Sequence, residues 1–376
     1  MNQIANNIKN INSWAIFLLL HILLWISIVF ICFYYGYESR IEFFLYSSTM
    51  FRGLLLTLAV HFIISFVRLL FEKSRAPLTE IFNDYKLRIL NLKSILSSFT
   101  LISILGINSS IYTSFKVLIP EINGFNYDLP FYYIDKYLHF GHSPWRITHQ
   151  IFSTENLTMM INVIYNLWFF IFWIFICSIV FSLKSIRFKH MVLSAFSMSW
   201  IINGSILAVI FSSAGPCFFD SVVQTEASDH YADLMGALVS QHENLMSQGH
   251  WFGIPALGIQ ELLWSFYSDK TTGIASGISA FPSMHVSVSM LMWLVVREFY
   301  PKFSKFMLIF LIFIVIGSVH LGWHYAVDGY ASMIITFLIW SCCKRIFFIK
   351  FDGGAVNQIK IKDDIIRLDI KDKQNP

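Results

Sequence analysis

The sequence predicts an all-α fold, a polytopic helical bundle embedded in a membrane. Of its 376 residues, 56% are hydrophobic and only 13% are charged, whereas soluble domains carry roughly 25% charged residues. The apolar residues form runs of the length that a helix needs to cross about 30 Å of hydrocarbon. Because backbone groups inside lipid must be hydrogen-bonded within the protein, such runs favour helices. We therefore predict an integral membrane protein.

Eight apolar runs are predicted to span the membrane. They are residues 14–35, 53–71, 95–118, 161–183, 191–211, 283–296, 306–319 and 325–343. The first run lacks the charged start and the small-residue cleavage site of a secretory signal, so we interpret it as a permanent span. The sixth and seventh runs are short for a span.

The runs divide the chain into three predicted parts. Residues 1–94 hold N-terminal spans and a cytoplasmic loop, residues 95–345 form a membrane catalytic domain with a six-helix core, and residues 346–376 form a charged tail. Within the second part, residues 120–160 are too polar to span and too aromatic for a free linker, which favours helices in the membrane interface.

A long connection over residues 212–280 contains a candidate amphipathic helix at residues 225–247. Connections of this length commonly act as lids or binding elements. We expect the same of this one.

One stretch concentrates ionisable side chains at membrane depth. Residues 317–330 read GSVHLGWHYAVDGY, and in a continuous helix His320, His324 and Asp328 would share one face. Such groups are costly inside a membrane and usually mark a functional site. A further histidine, His285, follows Phe-Pro-Ser-Met at the start of another apolar run. We predict that the two segments meet in one active site.

The positive charges predict the orientation. Cytoplasmic connections carry an excess of Lys and Arg. One side of the eight-span topology holds 20 of them and the other side five, while Arg68 and Lys116 fall inside spans and are not counted. Both termini are therefore predicted to be cytoplasmic. His285 and His324 then lie on the same side of the membrane, the extracytoplasmic or lumenal side. We expect the membrane to be the plasma (inner) membrane.

Composition excludes several other classes of protein. The net charge of +4 is small and follows the topology instead of forming a basic patch, so we expect no nucleic-acid partner. Five cysteines, scattered along the chain, are too few for a disulfide framework.

The histidine motifs resemble a known family. Phe281-Pro282-Ser283-Met284-His285 and, further along, His324-Tyr325-Ala326-Val327-Asp328 are similar to the second and third motifs of the type-2 phosphatidic acid phosphatase superfamily. The resemblance is strongest to its inositolphosphotransferase branch, which includes the sphingolipid enzyme inositol-phosphorylceramide synthase. It covers roughly residues 120–345.

The resemblance implies roles for individual residues. His324 would attack phosphorus to give a phosphohistidine, Asp328 would hold its other ring nitrogen, and His285 would act as acid and then as base. Ser283 and the amides at the start of the sixth span would cradle the phosphate at a helix N-terminus. The substrate would be a phospholipid or another lipid phosphate, and no metal or other cofactor is required.

Two departures from the family pattern bear on the substrate. The chain contains no Arg-Pro dipeptide, so the first motif is absent, and the Ser-Arg pair expected before the third motif reads Gly317-Ser318. Fewer cations favour a monoanionic diester over a dianionic monoester. His320, Arg146 and Lys270 are the candidates for the missing donors.

Other functions stay open on the sequence alone. The chain could be a lipid or polyprenyl phosphate phosphatase, since that enzyme shares the first half-reaction. It could be a membrane metalloenzyme that uses the histidine cluster, a proton-relaying transporter, or a scaffold. His139 and His142, with Asp128 and Asp135, are expected to be scaffolding of the interfacial region.

Overall fold

The computed structural model describes residues 2–37, 41–223, 228–271 and 273–349. Within these ranges the regular structure is helical and no strand is present. The predicted fold class, a helical membrane bundle, is therefore confirmed.

The helices follow one another along the chain with short connections. They are α1 (Asn2–Tyr34), α2 (Ser47–Phe71), α3 (Pro77–Arg88), α4 (Leu92–Lys116), α5 (Ile119–Ile122), α6 (Asp128–Leu138), α7 (Pro144–Ile151), α8 (Glu155–Val180), α9 (Ile186–Ile201), α10 (Ala208–Ile210), α11 (Phe219–Val222), α12 (Ala232–Ser247), α13 (Pro255–Ser268), α14 (Met284–Phe299), α15 (Ser304–His320) and α16 (Ala326–Lys344). Two π-helical segments, Ile202–Leu207 and Arg345–Ile349, extend α9 and α16.

Seven helices in the described part of the chain are long and apolar enough to cross a membrane. They are Asn10–Tyr34, Ser47–Phe71, Leu92–Lys116, Glu155–Val180, Ile186–Ile210, Pro301–His320 and Ala326–Phe347. Each corresponds to one of the eight predicted spans, with ends that differ by a few residues.

The remaining predicted span, at 283–296, is the central helix α14. It has 16 residues and is therefore about 24 Å long, short of the 20 residues that a span usually needs. α14 packs against α8, α9, α15 and α16, and most of its residues are buried. α15 follows α14 directly and runs back to the end of the bundle at which α14 begins. α14 therefore crosses the bundle and is surrounded by other helices.

The connections between the spans contain further helices. Residues 120–160, where helices were predicted, contain α6 and α7, with the exposed aromatic side chains of Tyr137 in α6 and Phe140 just after it. Residues 72–93, interpreted only as a basic loop, contain the helix α3, which Pro77 starts at its first turn.

The long outer connection contains α12, within the predicted amphipathic segment, and α13, which was not predicted. α12 buries Leu234, Leu238 and Leu245 on one face. The start of that predicted segment, 225–227, and most of the predicted tail, 350–376, lie outside the described residues.

Candidate active site

The N-terminal ends of α14 and α16 meet at one end of the bundle. The Ser283 amide donates to the Asp328 carbonyl at 3.4 Å, and the Ser332 hydroxyl donates to the Ser283 carbonyl at 2.9 Å. The ring centroids of His285 and His324 are 6.5 Å apart. The two histidine motifs therefore converge, although they are far apart in the sequence.

The segment between His320 and Asp328 is not one continuous helix. α15 ends at His320, and α16 begins only at Ala326. Gly322 lies between them with a φ of +74°, a left-handed conformation that glycine adopts without steric cost, and its carbonyl accepts from the Cys217 amide at 2.8 Å. The expectation that His320 and His324 share a helical face is therefore wrong.

His324 and Asp328 form a buried pair. Nδ1 of His324 lies 3.3 Å from Oδ2 of Asp328, and the Tyr325 amide donates to the same oxygen at 3.1 Å. His324 is 7% exposed and Asp328 is fully buried. An ionised carboxylate only accepts hydrogen bonds. With Asp328 ionised, Nδ1 is the protonated nitrogen of the His324 ring and Nε2 carries the lone pair.

The environment keeps the His324 ring neutral. Burial lowers its pKa to about 3, the Ala280 carbonyl opposes the shift, and the positive charge of Lys116 adds to it. A neutral imidazole at physiological pH is a nucleophile with a free electron pair.

His285 faces His324 from a pocket of aromatic rings. Its ring stacks on Tyr165, with centroids 4.7 Å apart, and lies 4.3 Å from the Trp168 ring. The Trp168 indole also donates to the His285 carbonyl at 3.1 Å. Nε2 of His285 is buried and has no hydrogen-bond partner among the described residues. That nitrogen therefore has an unmet hydrogen bond at the site.

Both histidines line one cavity of about 250 Å³. α8 forms an aromatic wall, to which Tyr165, Trp168, Phe169, Phe172 and Trp173 contribute. Polar side chains from α4, from α2 and from the residue before α2 also line the cavity, namely Tyr46, Thr49, Ser109, Thr113 and Lys116. The cavity thus combines polar groups, among them one lysine, with an apolar aromatic surface suited to a lipid.

Two buried aspartates brace the segment that carries His324. Asp128 accepts from the Tyr325 hydroxyl at 2.7 Å and from the Ala214 and Gly215 amides at 2.8 Å each. Asp135 accepts from the Ala326 amide at 2.7 Å and the Val327 amide at 2.9 Å. The Asp135 bonds satisfy two amides at the N-terminus of α16, and the Asp128 bonds tie Tyr325 to the loop at Ala214. Both residues thus hold the backbone in place, as expected of scaffolding.

The stability of this brace should depend on pH. Burial raises the pKa of Asp135 from 3.8 to about 7, against the opposing effect of its amide donors. Between these values the folded state holds a proton that the unfolded state has lost, so stability falls as the pH rises. The thermal midpoint of the wild type should therefore drop between about pH 5 and about pH 8 by more than that of Asp135→Asn. An equal drop in both proteins would contradict this, and Asp269→Asn, at an exposed position, is the control.

The structure places the predicted phosphate donors away from the cavity. His320 is fully buried, and its ring nitrogens contact the hydroxyls of Thr158 at 2.9 Å and Thr148 at 3.2 Å. Its ring also stacks on His149, with centroids 3.9 Å apart. Both ring nitrogens of His320 therefore have hydrogen-bond partners, as a buried histidine with a structural role requires.

The other three residues predicted to bind substrate also lie outside the cavity wall. Arg146 is exposed and pairs with Asp233 at 2.5 Å, and Lys270 is exposed. Ser283 is fully buried and caps α14 by accepting from the Val286 amide at 3.4 Å. None of these side chains lines the cavity.

Sequence reasoning missed one cavity residue that carries charge. Lys116, the last residue of α4, lines the cavity beside His285 and His324. The signal was present, because a lysine within an apolar span is a candidate functional residue. The count of positive charges that predicts the orientation leaves Lys116 out, because it lies inside a predicted span.

The metalloenzyme hypothesis requires a cluster of metal-binding side chains. Within the described ranges, no group of three or more His, Cys, Asp or Glu side chains is placed so that it could hold a metal ion. The metalloenzyme hypothesis needed His320 and His324 as neighbouring ligands, and the break between α15 and α16 separates them.

Comparison with known families agrees with this geometry. The family model described as the PAP2 superfamily matches residues 129–342, which is more than half of the chain. The match contains both histidine motifs and ends inside α16. Comparisons with curated proteins and with solved structures return no match. The chain therefore belongs to the PAP2 superfamily, the type-2 phosphatidic acid phosphatases and their relatives.

Proposed function

We propose that the protein is a membrane phosphotransferase that moves a lipid-linked headgroup phosphate through a phosphohistidine on His324, as in the inositolphosphotransferase branch. Membership of the PAP2 superfamily supports phosphatase or phosphotransferase chemistry. The observation that carries the proposal is the pair of histidines across one cavity, with His324 held by Asp328.

The first half-reaction forms the covalent intermediate. Nε2 of His324 attacks phosphorus, and the bond from phosphorus to the lipid alcohol oxygen breaks with its electron pair on that oxygen. His285 donates a proton to the departing alkoxide through Nε2, the nitrogen that has no protein partner. Asp328 stabilises the positive charge that develops on the His324 ring.

The second half-reaction reverses the roles. An acceptor hydroxyl loses its proton to His285 while its oxygen attacks phosphorus, and the electrons of the P–N bond return to Nε2 of His324. A lipid or sugar hydroxyl gives transfer, and water gives hydrolysis.

The missing arginine favours a diester donor. A Cβ added at Gly317, where the family has the serine of its Ser-Arg pair, would lie 2.9 Å from Cδ2 of Tyr165, so α15 is closely packed against α8 there. The place of the arginine is taken by Ser318. Ser318 is 1% exposed, and its carbonyl accepts from the His324 amide at 3.0 Å. With fewer cations, a phosphodiester monoanion is less costly to bury than a monoester dianion.

The acceptor decides between transferase and phosphatase. Purified protein in detergent is incubated with headgroup-labelled phospholipids, with and without a lipid alcohol. We expect the label to move to the added alcohol in the wild type and not in His324→Ala. His142→Ala, which changes an exposed histidine, is the matched control.

Two results would contradict the proposal. An unchanged product profile in His324→Ala would remove the phosphohistidine. Release of water-soluble labelled phosphate alone, whatever alcohol is added, would favour the lipid or polyprenyl phosphate phosphatase.

A further inference from the structure

Lys116 carries the only full charge on the described wall of the cavity. No Asp, Glu or Arg side chain lines that wall, and the two histidines are its other titratable groups apart from tyrosines. A cation withdrawn from water without a carboxylate beside it is costly. An anionic ligand in the cavity would supply the missing counter-charge.

The backbone around Lys116 is tightly packed against the loop that leads to His285. Gly277 lies in this loop with a φ of +90°. A Cβ at Gly277 would come within 2.9 Å of the Lys116 carbonyl carbon and 3.0 Å of its Cγ. The same loop continues into Pro282 and α14. The stem of Lys116 is thus packed directly against the loop that leads to His285.

The matched family segment provides no cation of its own to the cavity. Residues 129–342 contribute both histidines, but none of the Lys or Arg residues in that range lines the wall. Lys116 precedes the matched segment by more than a helical turn. The cation on the described wall therefore comes from α4, which lies before the matched segment.

We propose that Lys116 binds the non-bridging phosphoryl oxygens of the substrate, so that α4 completes a site whose reacting groups lie in α14 and before α16. The inference rests on the proposed phosphotransferase function. One ammonium neutralises one negative charge, which matches a phosphodiester and leaves a phosphomonoester dianion uncompensated. Lys116 would then set the preference between these two lipid classes.

Binding in an inactive background tests this without turnover. In His324→Ala protein, the affinity for a fluorescent phosphatidylglycerol, a phosphodiester, should fall about 10- to 100-fold on Lys116→Met. Lys116→Arg should retain most of it. Lys93→Met changes an exposed lysine at the opposite end of the same helix and should leave it unchanged. Phosphatidic acid, the monoester probe, should bind more weakly than phosphatidylglycerol.

Thermal denaturation separates binding from folding. Removal of an uncompensated charge should leave the midpoint of Lys116→Met unchanged or raise it, while affinity falls. A lysine with a purely structural role would lose stability and affinity together, which would overturn the inference. Unchanged phosphatidylglycerol affinity in Lys116→Met would also overturn it.

The failures of the two proposals are distinguishable. If Lys116→Met binds and reacts normally while His324→Ala is inactive, the phosphotransferase proposal stands and the role of Lys116 does not. If His324→Ala retains full transfer, the proposed mechanism itself fails, whatever Lys116 does.

Discussion

The His324→Ala variant should carry no covalent phosphate and should transfer the headgroup at least about 10³-fold more slowly than the wild type. Nε2 of His324 is the one histidine nitrogen on the cavity wall whose partner nitrogen is held by a carboxylate. Alanine removes the nucleophile and leaves His285, which has no such partner, in place.

Covalent labelling measures this directly. Protein is mixed with a phospholipid that carries ³²P, denatured in alkali within seconds, and separated by electrophoresis, since a phosphohistidine survives alkali and is lost in acid. The wild type should show acid-labile label at His324 on peptide mapping.

His285→Ala provides an informative second variant. It should still form the labelled enzyme, but about 10²- to 10⁴-fold more slowly, because the alkoxide leaves without a proton donor. His142→Ala should label like the wild type. Label that persists in His324→Ala, or that maps to His285, would reverse the assigned roles.

Much of the fold could be predicted because the membrane restricts the choices. Long apolar runs must be helices in lipid, and seven of the eight predicted runs correspond to helices long enough to span. α14 is shorter than predicted spans usually are, since it is surrounded by protein. The helices α3 and α13 were missed because they have only 12 and 14 residues, and a search for long apolar runs does not detect them.

The candidate site could be predicted only in part, because a histidine within an apolar run can have either of two roles. A histidine at membrane depth indicates either catalysis or a buried hydrogen-bond network. His320 and His324 gave the same signal four positions apart, yet His320 is bonded to Thr148 and Thr158. Those partners are distant in the sequence, and no local pattern indicates them.

The contacts of Asp128, Asp135 and Lys116 could be identified only from the tertiary structure. Asp135 caps α16 from far along the chain, so its sequence neighbours do not predict its contacts. Lys116 shares a cavity with the histidines because α4 packs beside α8 and α9. Its position before the matched segment also hid it from any comparison with the family motifs.

Replacing Asp328 with asparagine should lower kcat by about 10²- to 10⁴-fold with a much smaller effect on KM. Oδ2 of Asp328 accepts from both the His324 ring and the Tyr325 amide, whereas Oδ1 has no hydrogen-bond partner among the described residues. If the asparagine amide nitrogen faces the ring, it donates to Nδ1. The proton then moves to Nε2 and blocks the nucleophile.

The opposite orientation of the amide is also unfavourable. The oxygen then keeps both hydrogen bonds, but the amide group stands in a fully buried position without an acceptor and lacks the negative charge that stabilises the reacting ring. Steady-state kinetics with phosphatidylglycerol and a lipid alcohol give kcat and KM, and Asp269→Asn is the exposed control. Thermal midpoints identify any loss that comes from unfolding.

The double variant distinguishes positioning from independent catalysis. Asp328 is proposed to act only through His324, so Asp328→Asn combined with His324→Ala should be no slower than His324→Ala alone. A carboxylate that contacted the substrate itself would instead lower the residual rate further. Additive losses in the double variant, or an unchanged kcat in Asp328→Asn, would show that the hydrogen bond from Nδ1 does not prepare His324 for attack.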